Sequence, residues 1–191
     1  PIYEPGLEEL VKKNYKQKRL IFTNNIESAV KKSDIIFICV GTPTNKNNNS
    51  VNLKYVYEVS KEISKYINRY KIIVIKSTVP FTTGDKIEKI IAKKNKKTLF
   101  DVVSNPEFLR EGEAIRDFIY PDRIVVGTNS KKANKVLKNL YESITKRSGK
   151  YFVTSRRGAE LIKYASNSFL ATKISYINEI ANLCEKAQIN V

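Results

Sequence analysis

The sequence has no histidine, no methionine and no tryptophan, and only two cysteines, Cys39 and Cys184. Without histidine, a Ser-His-Asp triad and the histidine-bearing zinc sites are excluded within this chain, and no resident metal is expected. Two cysteines do not make a disulfide framework. Cys39 stands inside an apolar run, so burial is expected for it. No apolar stretch approaches the ~20 residues a membrane-spanning helix needs, and no membrane partner is expected. No basic-then-apolar leader opens the chain. The chain starts at Pro1 and has no Met to begin a translated protein, so the expectation is an internal piece of a longer one.

Acidic residues are also scarce, 19 Asp+Glu against 35 Lys+Arg, for a formal net charge of +16. Such a balance first suggests nucleic acid. The distribution argues otherwise, because lysine far outnumbers arginine and is scattered through helix-like segments such as Lys61–Lys65 and Lys131–Lys138. Abundant Lys, Asn and Ile together fit a compositional bias. A generically basic surface with no nucleic-acid partner is the leading reading, and such a surface would steer an anionic nucleotide. A non-enzymatic polyanion-binding module is the alternative of another class.

What is present is an alternation of strands and helices. At 191 residues the chain has room for one domain, or one and a part. Leu20-Ile21-Phe22 reads as a short strand and Asn25 to Lys32 as a short helix. Asp34 to Val40 is a continuous apolar run, the mark of a strand buried on both faces. Val51 to Tyr66 has helical periodicity, with Leu53, Val56, Val59, Ile63 and Ile67 on one side. Lys71–Ile75 reads as a second buried strand, and Gly84 to Lys94 as a helix turning Ile87, Ile90 and Ile91 inward. Phe100–Val103 and Arg123–Gly127 follow as strands, Lys131 to Ile144 as a helix, and Tyr151–Val153 as a last short strand. This order predicts an α/β fold with a parallel, doubly wound sheet. From Gly158 the texture changes: Ala159 to Lys186 is helical in period and free of Gly and Pro, long against the ~10–14 residues of an average helix. It suggests a spine connecting two domains or packing against a twin. The low-complexity stretch Asn45 to Ser50 reads as a mobile loop.

Three successive strands end alike, in Val40-Gly41-Thr42-Pro43-Thr44, Lys76-Ser77-Thr78-Val79-Pro80 and Ser104-Asn105-Pro106-Glu107. Each puts a small polar residue and a proline at the carboxyl end of a strand, the edge where open parallel sheets bind ligands. Hydroxyls and backbone N–H groups there suit phosphate or ribose. Ordinary turn chemistry uses the same residues and stays open as the plainer reading. Asn105-Pro106-Glu107 has the form of a helix start, Asn as N-cap and Pro at the first position. A helix there would set Glu107 and Glu111 four apart on one face, able to orient or activate a water, with Glu107 kept ionised by the helix N-terminus. The plainer alternative gives Glu107 to the dipole and Glu111 to a nearby cation. Lys163 and Asn167, also four apart, could together hold an oxyanion; an exposed polar stripe is the alternative.

At these residues the chain resembles the UDP-glucose/GDP-mannose dehydrogenase family. The matching segments are Pro1 to Leu7, Val40 to Pro43, Lys76 to Pro80, Ser104 to Gly112, Tyr120 to Gly127, Ala159 to Ala165 and Asn167 to Asn178. They cover essentially the whole chain in order, and the Asn105–Gly112 motif is the most specific. The resemblance implies a Rossmann-like, NAD-binding domain over residues 1–155, with its N-terminal part missing, followed over 156–191 by a long connecting and dimerisation helix. It implies a cytoplasmic homodimer that oxidises the C6 alcohol of a nucleotide sugar to a carboxylate, passing two hydrides to two NAD⁺ through a cysteine-bound thiohemiacetal and thioester. Tyr120–Arg123 and Phe108–Glu111 look more like the branch acting on UDP-glucose; GDP-mannose or an N-acetylated UDP-sugar is the alternative substrate.

Carried over by motif, Val40, Gly41, Thr42, Pro43, Ser77, Thr78 and Glu111 lie on the cofactor side. Thr78 is also near the reactive water, and Glu107 assists thioester hydrolysis. Lys163 and Asn167 stabilise the oxyanion, and Phe108, Leu109 and Arg110 line the sugar-nucleotide side with them. The departures are plain as well. The family's Gly-x-Gly phosphate loop and acidic ribose-binding residue are not in this sequence. Its nucleophilic cysteine sits in a Gly-rich loop past the long helix, and Cys184, in a mid-helix context, does not match it. The family's C-terminal nucleotide-binding domain is also missing, so this chain alone is expected to be inactive.

Overall fold

The computed structural model describes residues 3–46 and 50–190. Five strands form one sheet in the order β1-β2-β3-β4-β5: β1 Ile35–Ile38, β2 Lys71–Ile75, β3 Phe100–Ser104, β4 Arg123–Gly127 and β5 Lys150–Thr154. β1, β2 and β3 are parallel and in continuous register, Ile35 against Ile72 and Ile72 against Asp101. β4 and β5 are parallel to each other. Between the two groups the sheet reverses. β3 meets β4 antiparallel, through the single pair Ser104 and Gly127.

The expected parallel sheet is therefore corrected at this seam, and the chain path gives the reason. A parallel neighbour needs a long crossover, usually a full helix. Residues 105–122 hold only the six-residue helix α5, Ala114–Ile119, and never return to the far edge. β4 comes back toward the sheet from the carboxyl side. Because the last residue of β3 faces the last residue of β4, the β4–β5 ribbon projects past the carboxyl edge of β1–β3 as a wall.

Helices cover both faces, as the doubly wound pattern requires. In β2, Ile73 and Ile75 point into one core with Val56 and Ile63 of α3 (Lys54–Lys65) and Ile87 and Ile91 of α4 (Thr83–Ala92). Ile72 and Val74 point the other way, onto Ala133, Leu137 and Tyr141 of α6 (Lys131–Thr145). Each such fully buried aliphatic side chain contributes ~1.5–3 kcal/mol. α2 (Ile26–Lys32) opens with Asn25 as N-cap, its side chain accepting from the Ser28 N–H. α7 runs from Arg156 to Ala187, with Ser155 as N-cap accepting from the Gly158 N–H.

Four expectations are corrected here. Leu20–Phe22 is not a strand; it joins no ladder, and Ile21 and Phe22 are exposed. β1 is an edge strand and not buried on both faces, since Phe37 and Cys39 are exposed. The thiol of Cys39 is not buried as expected, although partial burial still raises its pKa. α3 starts at Lys54, because Val51 bridges to Thr44 and the Asn52 side chain accepts from the Lys54 N–H. Two helices went unread, α5 and α1 (Leu7–Lys16), whose acidic first turn and basic last turn match the helix dipole. The mobile-loop reading of Asn45–Ser50 falls largely on residues 47–49, which lie outside the described residues, as do Pro1, Ile2 and Val191.

Candidate functional site

The first two strand ends are tied together by their hydroxyls. Ser77 Oγ donates to the Val40 carbonyl at 2.6 Å, and Thr42 Oγ1 donates to the Thr78 carbonyl at 3.1 Å. Val40 packs on the core, while Gly41 and Pro43 are exposed. A Cβ on Gly41 would meet nothing within 4 Å, so no protein contact requires glycine there. The backbone of this turn is open for close approach by an extended ligand.

The third strand end differs from expectation. Residues 105–110 form no helix; α5 begins only at Ala114. The reason lies in Asn105, which is 1% exposed and does not cap anything. Its Nδ2 donates to the Val125 carbonyl at 2.8 Å, and its Oδ1 accepts from Tyr141 OH at 2.5 Å and from Lys76 Nζ at 3.3 Å. The side chain spans the seam between β3 and β4, and a cap cannot do that and serve a helix as well. The helix start belongs instead to Glu4, whose carboxylate accepts from the Gly112 and Ala114 N–H groups. Glu107 and Glu111 thus share no helical face, and Glu111 is exposed.

Glu107 is held from both sides. Its Oε2 accepts from the Leu109 N–H at 2.6 Å, and its Oε1 pairs with Lys163 Nζ at 2.9 Å. The cation beside Glu107 is this lysine rather than a helix N-terminus. Lys163 is 6% exposed, rises from the second turn of α7 and also stands 5.2 Å from the Phe108 ring centroid. The Arg123 guanidinium lies over the same ring at 4.4 Å and donates to Ser166 Oγ at 3.3 Å. A small cavity beside the pair is lined by Ser77, Thr78, Ser104, Pro106, Glu160 and Lys163. The structure therefore gathers Thr78, Glu107, Phe108 and Lys163 in the notch between the strand ends and the projecting ribbon. It does not gather the rest. Asn167 and Leu109 are exposed, and the Arg110 guanidinium is engaged by Asp117, whose carboxyl it pulls down to about 2.

Sequence reasoning missed the groups beneath this notch. Burial pulls the Lys76 amine down to about 8, with Cys39 and Glu107 raising it and Lys163 lowering it further. Glu160 is 3% exposed; its Oε1 accepts from the Gly84 N–H at 2.8 Å and from Ser104 Oγ at 3.0 Å. Burial raises its pKa against those bonds. Tyr141, its hydroxyl also raised by burial, completes the floor. The one available signal was Lys76 itself, a charged residue following five buried strand positions. Among the described residues no His, Cys, Asp and Glu cluster could hold a metal ion.

The chain is similar to proteins of one family along its length. Residues 1–145 match the UDP-glucose/GDP-mannose dehydrogenase family, NAD binding domain, and residues 157–191 match the central domain of that family. UDP-glucose 6-dehydrogenase of Rhizobium meliloti (strain 1021) is 48% identical over 100% of this chain and 44% of its own length. UDP-glucose 6-dehydrogenase TuaD of Bacillus subtilis (strain 168) is 50% identical over 100% of this chain and 41% of its own. The chain thus spans less than half the length of these relatives. Among solved structures, a UDP-glucose dehydrogenase from Pyrobaculum islandicum aligns with a TM-score of 0.92 at 40% identity, covering 99% of this chain and 44% of that one. A GDP-mannose dehydrogenase from Pseudomonas aeruginosa, solved as a ternary complex, aligns at 0.94 and 34%, covering 100% and 44%.

Proposed function

This chain belongs to the UDP-glucose/GDP-mannose dehydrogenase family, and from that premise we propose that it serves an NAD-dependent oxidation of UDP-glucose at C6 to UDP-glucuronate. The observation that carries the reading is the Lys163–Glu107 pair, a buried ammonium and a carboxylate 2.9 Å apart at the carboxyl edge of the sheet. It stands on a chain about half identical to UDP-glucose 6-dehydrogenases. Residues 1–155 form the dinucleotide-binding part and 156–191 the start of the central domain.

NAD⁺ when bound accepts the hydride. The open turn at Gly41, with Val40, Thr42 and Pro43 around it and Ser77 and Thr78 beside it, fits such a cofactor, because no side chain fills the space. Lys163 spends one of its three N–H bonds on Glu107 and keeps two to hold a developing oxyanion. Asn167, one turn on, is the second donor in this scheme once substrate covers it. Glu107 orients and deprotonates the water that hydrolyses the acyl intermediate, with Thr78 across the cavity. Phe108, steadied by Arg123, gives the sugar an apolar floor, and Leu109 and Arg110 line the outer side. Neither Cys39, at the sheet edge, nor Cys184, on α7, is assigned the nucleophile.

No helix among the described residues is long and apolar enough to cross a membrane. We place the protein in the cytoplasm as a homodimer joined through α7. The activity is tested by giving the full-length protein NAD⁺ with UDP-glucose, GDP-mannose or a UDP-N-acetyl sugar and following NADH. Two NADH per UDP-glucose consumed is the expected stoichiometry. Preference for another nucleotide sugar would move the substrate assignment, and no NADH with any of them would overturn the reading.

A further inference from the structure

Beneath the Glu107–Lys163 pair lies a third charged group that the scheme above leaves unused. Lys76 follows the last residue of β2 and projects to the α6 side of the sheet. No carboxylate lies within ion-pair distance of it among the described residues. Its Nζ donates to Asn105 Oδ1 at 3.3 Å and stands 5.9 Å from the Tyr141 ring centroid. Both partners are neutral. The charged and titratable groups facing it are Cys39 just past β1, Glu107 from the loop after β3, Tyr141 from α6 and Lys163 from α7. Lys76 is half-buried, and an ammonium in that position whose bonded partner is an amide loses part of its water and gains no counter-ion in return.

We propose that Lys76 is a positioning residue for this reaction, its half-buried ammonium setting the charge that the Glu107–Lys163 pair presents to the oxidised sugar carbon. This inference rests on the function proposed above. With Lys76 protonated the cluster carries two cations and one anion. With Lys76 neutral it carries one of each, so the reacting carbon meets one positive charge fewer. The ionisation of Lys76 near pH 8 puts that change inside the working range of an enzyme whose reaction releases protons. Asn105 links the same amine to the β3–β4 seam, across which the pair itself forms.

Two measurements on the full-length protein decide the matter. In the first, lysine Cε carbons are followed by ¹³C NMR against pH, with Lys76 assigned from the Lys76→Arg spectrum. The Lys76 signal should titrate near pH 8, move to lower pH in Glu107→Gln and move to higher pH in Lys163→Met. Titration at the ordinary lysine value of 10.5, or no movement in either variant, overturns the proposal. The second is the pH profile of turnover. Wild type should show an ionisation near pH 8 that disappears in both Lys76→Met and Lys76→Arg. The Met variant should follow the alkaline plateau of wild type and the Arg variant the neutral one. The step between the two plateaus should be about tenfold in turnover. Persistence of the ionisation in either folded variant overturns the proposal. If wild type oxidises no nucleotide sugar, the functional reading fails by itself, and the NMR couplings still decide whether Lys76 belongs to the Glu107–Lys163 unit.

Discussion

Lys163 is the residue on which the proposed chemistry turns, and truncating it separates chemistry from fold. Its ammonium is buried, but its partner Glu107 keeps 31% of its side chain in solvent, so Lys163→Ala strands no deeply buried carboxylate. The variant should stay folded and retain NAD binding. Turnover should fall by about 10²–10³, the usual cost of losing one oxyanion donor. Steady-state kinetics of the full-length variant checks this, and turnover close to wild type would sink the role. Thr78, Glu107 and Lys163 could be singled out in the sequence because they stand in motifs that resemble those of the family, where spacing alone left a plainer reading open for each. Lys76 and Asn105 could not. Whether a side chain just past a strand turns to one face or the other depends on the strand register, and Asn105 has the same residue type whether it caps a helix or bridges two strands.

Among the elements, the crossing of α7 over α4 and β3 sets where Lys163 stands. Glu160, one turn before it, carries that crossing by accepting from the Gly84 N–H at the start of α4 and from Ser104 at the end of β3. A Cβ on Gly84 would meet Glu160 Oε1 at 2.9 Å, so a larger residue there would push that carboxylate off its two donors. Arg156 adds ion pairs to Asp85 and Glu88 along the same contact. Glu160→Ala would leave a buried N–H and a buried hydroxyl unpaired and should cost about 2–4 kcal/mol in urea unfolding. Glu160→Gln keeps an acceptor for both and should lie within about 1 kcal/mol of wild type, because burial, which raises the Glu160 pKa, works against the charged form that the amide replaces. The sign follows from that direction: the Glu160 penalty is absent below its unfolded pKa and grows as pH rises toward the folded value. Equal loss in both variants would show that the hydrogen bonds are not what matters. The buried strands and amphipathic helices were readable here because period and length carry the signal. The seam was not, since strand direction depends on where a connection travels and not on its composition.

At the scale of the molecule, α7 leaves the domain behind. Its first turns pack on β3, β4 and α4, but beyond Ser166 most of it is exposed, including Phe169, Leu170, Ile174 and Ile177. An exposed apolar stripe of this kind marks an interface, and the homodimer proposed above would cover it. Light scattering should give the full-length protein a mass of two chains, and the double variant Ile174→Asp, Ile177→Asp the mass of one; a dimer that survives both charges would place the interface elsewhere. The seam between β3 and β4 has a different consequence. With a single backbone pair there, the hydrogen-bond ladder of the sheet is cut in two, and the halves are joined by side chains instead: the core that Ile72, Val74 and Val103 share with Ile124 and Val126, the Asn105 bridge and the first turns of α7. The backbone amides of β2 and β3 should then exchange with deuterium as one cooperative unit and those of β4 and β5 as another, with Asn105→Ala widening the gap between them. Because Glu107 follows the first unit and Lys163 the second, their ion pair forms only while both are closed, and any slow opening of the seam becomes a reversible off-state of the proposed site.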